Sequence, residues 1–261
     1  MSAVRGVLFD FHETLISADR WFAMEIGTIS VEMLQHVGVW SGDPPAEDRR
    51  RVEDAYARVR AVISGAAIEY SAQAIGRAGL RAIGRDGHVT DRELTDAADR
   101  LFRSYLWDVT LKPHAAETLS ALAAAGHRMG ILSNIAHSPF ITWALEAHGL
   151  RHHFEHITAS SDLGLRKPRR EIFLHALAAM GLAADETVYV GNDYVKDIIG
   201  ARLAGLRAIW VPDSTGQDYR ADTHVHPDAV VGSLAEIPAV LSAWAAEERG
   251  NSSDPVRRTG P

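Results

Sequence analysis

At 261 residues, 46% hydrophobic and 23% charged, the chain can bury a sizeable core, either as one large domain or as a core with an insertion. A formal charge of −7 argues against a nucleic-acid partner, and the absence of cysteine excludes a disulfide framework, a thiolate nucleophile and a Cys-ligated metal. No apolar run approaches the ~20 residues of a membrane span and the N-terminus lacks a signal-peptide pattern, so a cytoplasmic protein with no membrane partner is expected.

Val4 and Val7–Phe9 read as a short buried strand that delivers Asp10 to its carboxyl end, where open α/β sheets place reacting groups. The pattern then turns helical for almost a hundred residues. Trp21 to Val39 carries apolar residues at helical spacing, Gly38 to Pro45 is a turn, and Ala46 to Ile63 is a strongly charged helix. Ile68 to Ile83 is a third helix, interrupted by Gly76 and Gly79; Gly84 to Gly87 breaks it. Thr90-Asp-Arg-Glu93 is a capping-box signature, opening a helix to about Trp107.

From Leu111 strands alternate with amphipathic helices. Helices are expected over Pro113–Ala125, Phe140–His148, Arg170–Met180, Val195–Ala204 and Leu234–Ala246. Strands are expected at His127–Leu132, Phe154–Ala159, Thr187–Val190, Arg207–Val211 and Ala229–Val231. That alternation predicts an α/β fold, a mostly parallel sheet covered by helices on both faces. The first strand belongs to the sheet, so residues 1–15 and 111–248 form the core and 16–110 a helical insertion. Residues 249–261, polar and rich in Gly, Ser and Pro, read as a disordered tail.

Four groups fall at predicted strand ends: Asp10 with His12 and Thr14; Ser133-Asn134; Lys167-Pro168; and Gly191-Asn192-Asp193 with Asp197. Taken singly, each has a bland account. Asp after a strand caps a turn, Ser-Asn makes a turn, Lys-Pro is a solvated loop, and acids at a helix start favour its dipole. Their fixed order, each at a strand terminus, points to one site. A carboxylate can attack phosphorus and form an acyl phosphate. Lys167 can supply the positive charge that the equatorial oxygens require, while Ser133 and the backbone after it supply donors. Asp10 and the Asn192/Asp193 pair are candidate oxygen ligands for a hard divalent cation. Asp197 fits behind them, orienting a ligand or holding Lys167.

On these four motifs residues 4–247 resemble the haloacid dehalogenase superfamily of hydrolases, in the branch with a helical cap inserted after the first strand. The resemblance implies a Rossmann-like core, a mobile cap and Mg²⁺-dependent hydrolysis of a small soluble phosphomonoester through an aspartyl-phosphate. It implies Asp10 as nucleophile, Thr14, Ser133, Asn134 and Lys167 around the phosphate, and Asp10, the His12 carbonyl and Asn192 or Asp193 around Mg²⁺.

The chain departs from that family pattern at two places. Its phosphatases carry a second Asp as acid and base two residues after the nucleophile, where this chain has His12. An imidazole with a pKa near ~6.5 is competent for that work, or else the position marks a slow or inactive member. Glu13 stands where the family often has Gly, a position several residue types occupy. Asn192 stands where the metal-binding Asp is usual, with an acid one residue later at Asp193; ligation by the neutral Asn192 lowers Mg²⁺ affinity.

Two other readings stay open: a metal-independent 2-haloacid dehalogenase, in which the acids at 193 and 197 are poorly explained, and a non-catalytic scaffold with a binding or regulatory role. Schiff-base chemistry from a cap lysine is excluded, since residues 16–110 contain none. The histidines at 148, 152, 153 and 156, those at 224 and 226, and Arg49-Arg50-Arg51 read as solvated surface, and Trp21 as hinge packing. Oligomeric state leaves no sequence signal.

Overall fold

A computed structural model describes residues 3–212 and 224–252. Strand β1 (Gly6–Phe9) is buried throughout, which is why it reads as an unbroken apolar run rather than an alternating one. A two-residue strand β2 (Ile16–Ser17) follows, and the chain leaves the sheet through α1 (Asp19–Ala23) and a π-type turn over Met24–Thr28. Then come α2 (Ile29–Val37), α3 (Ala46–Ala66), α4 (Ala72–Ala82) and α5 (Asp91–Arg103). The chain returns through β3 (Thr110–Leu111), which pairs antiparallel with β2, Ile16 opposite Leu111. This two-stranded seam was not expected from sequence.

The rest alternates: α6 (Ala115–Ala124), β4 (Arg128–Ser133), α7 (Pro139–Ala147), β5 (His156–Ala159), α8 (Ser160–Leu163), α9 (Arg170–Met180) and β6 (Thr187–Gly191). A π-type turn at Tyr194–Ile199 leads into α10 (Gly200–Leu203), then β7 (Arg207–Trp210), β8 (Ala229–Val230) and α11 (Ile237–Ser252). Residues 249–252, expected in the tail, continue α11, and 253–261 lie outside the described residues.

The six-stranded sheet runs β5-β4-β1-β6-β7-β8, every pair parallel. Period-2 alternation divides its side chains between two faces. Val7, Phe9, Ile131, Val188 and Val190 pack toward α6 and α7. Leu8, Leu132, Tyr189 and Ala208 pack toward α9 and α10. β1 lies between β4 and β6, and the chain crosses from one side of it to the other, so a crevice forms at the carboxyl ends of these three strands.

The helices between β2 and β3 have their own reasons to form. α5 buries Leu94, Ala97, Ala98, Leu101 and Phe102, one stripe at helical spacing, and its capping box is present: Thr90 accepts from the Glu93 amide while Glu93 accepts from the Thr90 amide. Gly76 and Gly79 do not interrupt α4. They lie inside it, where a Cβ would come within 2.9 Å of Leu94 and 3.2 Å of Leu34, so they set the closeness of helix packing.

This helical insert is tied to the sheet domain beyond β2 and β3. Trp21 stacks on Phe140 at 4.8 Å, giving it the packing role expected from sequence. The α3–α4 junction runs antiparallel to the loop after α8: Glu69 N–H donates to Gly164 C=O at 3.1 Å and Arg166 N–H to Ala67 C=O at 3.0 Å. Ala72 N–H donates to Ala136 C=O at 2.8 Å.

Candidate active site

Asp10 follows β1 directly, its amide donating to Val190 C=O at 2.9 Å, so it leaves the sheet at the central crevice. Its carboxylate is 7% exposed and has two side-chain partners. Lys167 Nζ donates to Oδ1 at 2.5 Å and Thr14 Oγ1 lies 3.3 Å from Oδ2. Thr14 stands between Asp10 and Asn192, whose Oδ1 is also 3.3 Å from its hydroxyl.

Lys167, 4% exposed, is the hub. Its ammonium spends all three protons, on Asp10, on Asp197 Oδ1 at 2.7 Å and on the Tyr189 hydroxyl at 2.8 Å. Burial acts to lower its pKa, but the charges of Asp10 and Asp197 outweigh burial and raise it, so the cation persists. Burial pushes Asp197 up to about 7 against the pull of Lys167. Asp197 Oδ2 accepts from the Asp193 amide at 2.9 Å, and Gly191 is required beside it, since a Cβ there would meet the Asp197 carboxylate at 2.5 Å.

Two uncharged residues position Lys167, one through its backbone and one at its ammonium. Asn134 clamps its backbone, Oδ1 accepting from Lys167 N–H at 2.9 Å and Nδ2 donating to Lys167 C=O at 3.2 Å. The carboxamide expected to face phosphate is thereby committed to the loop carrying the lysine. Tyr189 receives the ammonium and donates to Leu132 C=O at 2.9 Å. Sequence reasoning missed Tyr189 because it reads as strand core. The available signal was its phenol, which needs a partner when buried. Ser133 closes β4, buried, on the same crevice.

In the fourth motif, left open between Asn192 and Asp193, the two side chains have different partners. Asp193 caps the following turn, Oδ1 accepting from the amides of Val195 at 3.0 Å and Lys196 at 2.8 Å, while Oδ2 pairs with Lys196 Nζ. Burial would raise the Asp193 pKa, but Lys196 prevails and holds it low. Asn192, not Asp193, faces Thr14 and Asp10. Among the described residues no group of three or more His, Asp and Glu side chains is arranged to hold a metal. The hard oxygens converging on Thr14, Asp10 Oδ2 and Asn192 Oδ1, are of the right chemical type for Mg²⁺ but carry one charge rather than two.

His12 is packed rather than poised. Its ring stacks on Phe22 at 4.7 Å and meets the Trp21 edge at 5.2 Å. Nε2 is buried without a hydrogen-bond partner, 3.7 Å from Glu13 Oε1. Burial lowers its pKa despite the opposing charges of Glu13 and Asp10, so the imidazole is neutral near pH 7. Glu13 takes φ +61°, the left-handed region, which gives the Gly preference at this position a cause. It is held there by Ser17 Oγ at 2.6 Å and Lys112 Nζ at 2.9 Å.

Above Lys167 and Asn192 lies a cavity of about 590 Å³, walled on the insert side by Phe22, Glu25, Ile26 and Arg60 and on the sheet side by Arg166, Lys167 and Asn192. That volume suits a small molecule. None of the insert residues on this wall was a site candidate from the sequence, which marks Phe22 and Ile26 only as apolar positions of a helix.

The family model of haloacid dehalogenase-like hydrolases matches residues 4–205. The chain is 36% identical over 146 residues to phosphoserine phosphatase of Thermus thermophilus, covering 56% of this chain and 55% of that protein. The chain thus spans little more than half the length of that relative. It is 26% identical to phosphoglycolate phosphatase of Escherichia coli O157:H7 over 96% of this chain and 98% of the other. Among solved structures, a 2-haloacid dehalogenase from Pseudomonas syringae superposes with a TM-score of 0.64 at 26% identity, covering 92% of this chain and 99% of that one.

Proposed function

The chain belongs to the haloacid dehalogenase-like hydrolase family, and from that premise we propose that it is a phosphatase acting on a small phosphomonoester through an aspartyl-phosphate on Asp10. The observation that carries this reading is the 2.5 Å contact of a fully buried Lys167 with Asp10 Oδ1. A charged lysine at that atom orients the carboxylate and offers charge to the oxygens of an incoming phosphoryl group. The relatives named for phosphoserine and phosphoglycolate hydrolysis support it.

Asp10, the His12 carbonyl and Asn192 would hold Mg²⁺, which would supply neutralising charge to the transferring phosphoryl group. Thr14 keeps Asp10 Oδ2 and Asn192 Oδ1 turned toward one another. Ser133 donates to phosphate, and Asn134 acts through Lys167 by fixing its backbone. His12, neutral because it is buried, serves as the base that takes a proton from the water attacking the acyl phosphate. That role requires Phe22 to move off the ring.

A second reading is favoured by one observation. The acids at 193 and 197, which a metal site would explain, each have a partner in the protein, Lys196 and Lys167. A metal-free attack of Asp10 on a halogenated carbon therefore stands as the alternative, with the Pseudomonas structure as its likeness.

The test is hydrolysis of an aryl phosphate and chloride release from 2-chloropropionate, with Mg²⁺ and with chelator, for the natural chain, Asp10→Asn and His12→Asp. Mg²⁺-dependent phosphate release that drops at least ~10³-fold in Asp10→Asn supports the phosphatase. Chloride release in chelator supports the dehalogenase. Phosphate release confined to His12→Asp shows a scaffold that lost turnover at position 12.

A further inference from the structure

Three of the four cations on the wall of the cavity over Lys167 are paired with carboxylates. Arg166 pairs with Glu69, Lys196 with Asp193, and Lys167 with Asp10 and Asp197. Among the described residues, Arg60, half-buried on α3, has no carboxylate within ion-pair distance and no hydrogen-bond partner. Its neighbour Glu25 is close enough to feel its charge and yet does not bond it. A half-buried guanidinium left without a counter-ion in a cavity has lost part of its hydration for no return within the protein.

We propose that Arg60 is a specificity residue that binds a carboxylate on the leaving-group side of the substrate. This rests on the phosphatase reading and extends it to a substrate class: small phosphomonoesters that also carry one carboxylate. Arg60 is one guanidinium with no second unpaired cation beside it on the wall, which suits the single charge of a carboxylate better than the double charge of a second phosphate. The guanidinium fork fits the two carboxylate oxygens in parallel. Burial holds Glu25 protonated near neutral pH, so it does not cancel Arg60 from the same wall. Phe22, Ile26 and Ile63 supply the apolar remainder of the wall, against which the carbon chain of such a substrate would lie.

The experiment compares phosphoglycolate with phosphoglycolamide, its neutral amide of nearly the same shape, in the full chain with Mg²⁺. The natural protein prefers the carboxylate ester by about 10- to 100-fold in kcat/KM, the range expected for one hydrogen-bonded charge. In Arg60→Gln the ratio falls to about 1, with the loss on the carboxylate ester mostly in KM; Arg60→Lys keeps an intermediate ratio. Glucose 1,6-bisphosphate is the third arm, and a preference for it that Arg60→Gln abolishes would assign Arg60 to a second phosphate and overturn the proposal. A carboxylate preference that survives Arg60→Gln, or no preference at all beside good aryl phosphate hydrolysis, also overturns it while leaving the phosphatase reading standing. Calorimetric titration of Asp10→Asn and of the Asp10→Asn/Arg60→Gln double variant with the same two esters repeats the comparison without turnover. Failure to hydrolyse any phosphate ester therefore sinks the phosphatase reading alone, and the binding ratio still decides Arg60.

Discussion

Replacing Glu25 by Gln should make the protein's stability less dependent on pH, and the size of the effect follows from where Glu25 sits. It lies in the turn between α1 and α2, 7% exposed, with Oε2 lacking a partner among the described residues. Burial raises its pKa to about 8 from an ordinary 4.5; Glu69 adds to the rise, while Arg166 and Arg60 oppose it. A carboxyl whose pKa is raised on folding holds a proton that the unfolded chain releases. Its contribution is fully present below about pH 4.5 and is lost as pH rises to about 8. At about 1.36 kcal/mol per pH unit, the native chain forfeits about 1 kcal/mol by pH 5 and about 4 kcal/mol by pH 8. Glutamine cannot ionise, so Glu25→Gln escapes this loss whatever constant cost its amide adds. Urea unfolding at pH 5 and pH 8 measures it. The gap between variant and parent should move by about 3 kcal/mol in favour of the variant at the higher pH. A gap equal at both values would mean that Glu25 is ionised in the folded protein and would refute the reasoning.

Two further outcomes follow from the same geometry. Glu13→Ala keeps the left-handed backbone while losing Ser17 and Lys112, and should cost about 1–2 kcal/mol in thermal unfolding; Glu13→Gly should recover about 1 kcal/mol of that. Equal midpoints for the two variants would show that the φ of +61° carries no strain. Asn192→Asp adds the second negative charge beside Thr14 and should lower the Mg²⁺ concentration for half-maximal phosphate release by about tenfold. An unchanged Mg²⁺ midpoint would remove Asn192 from the metal's surroundings.

What could be read from the sequence was what depends on repetition. α9 falls where its periodicity put it, Arg170–Met180, and the strand ends carrying Asp10, Ser133 and Asn192 were visible because each apolar run stops on a polar residue. The seam of β2 and β3 was not, since two residues are too few to show a period. The Asn134 clamp was equally hidden, because its partner is the main chain of residue 167, which has no sequence signature. The choice between positions 192 and 193 stayed open for a related reason. An acid next to a family ligand position looks like a ligand, and only the fold shows it spent on two amides and Lys196. Arg60 was indistinguishable from the other arginines of a charged helix until a cavity appeared beside it.

The strand-like pairing of residues 67–69 with 164–166 has a consequence for how a reactant gets in. A flap attached only at β2 and β3 could swing like a door, but this one is also sewn down along its far edge. Two main-chain bonds run along that edge, with the Glu69 carboxylate gripping both Ser160 and Arg166 behind them. Something fastened on two edges can only flex between them. The part of the cavity wall that stands open to solvent is the corner holding Phe22 and Ile26, both exposed. Because Phe22 lies on the ring of His12, any displacement that carried a molecule past Phe22 would also uncover that imidazole.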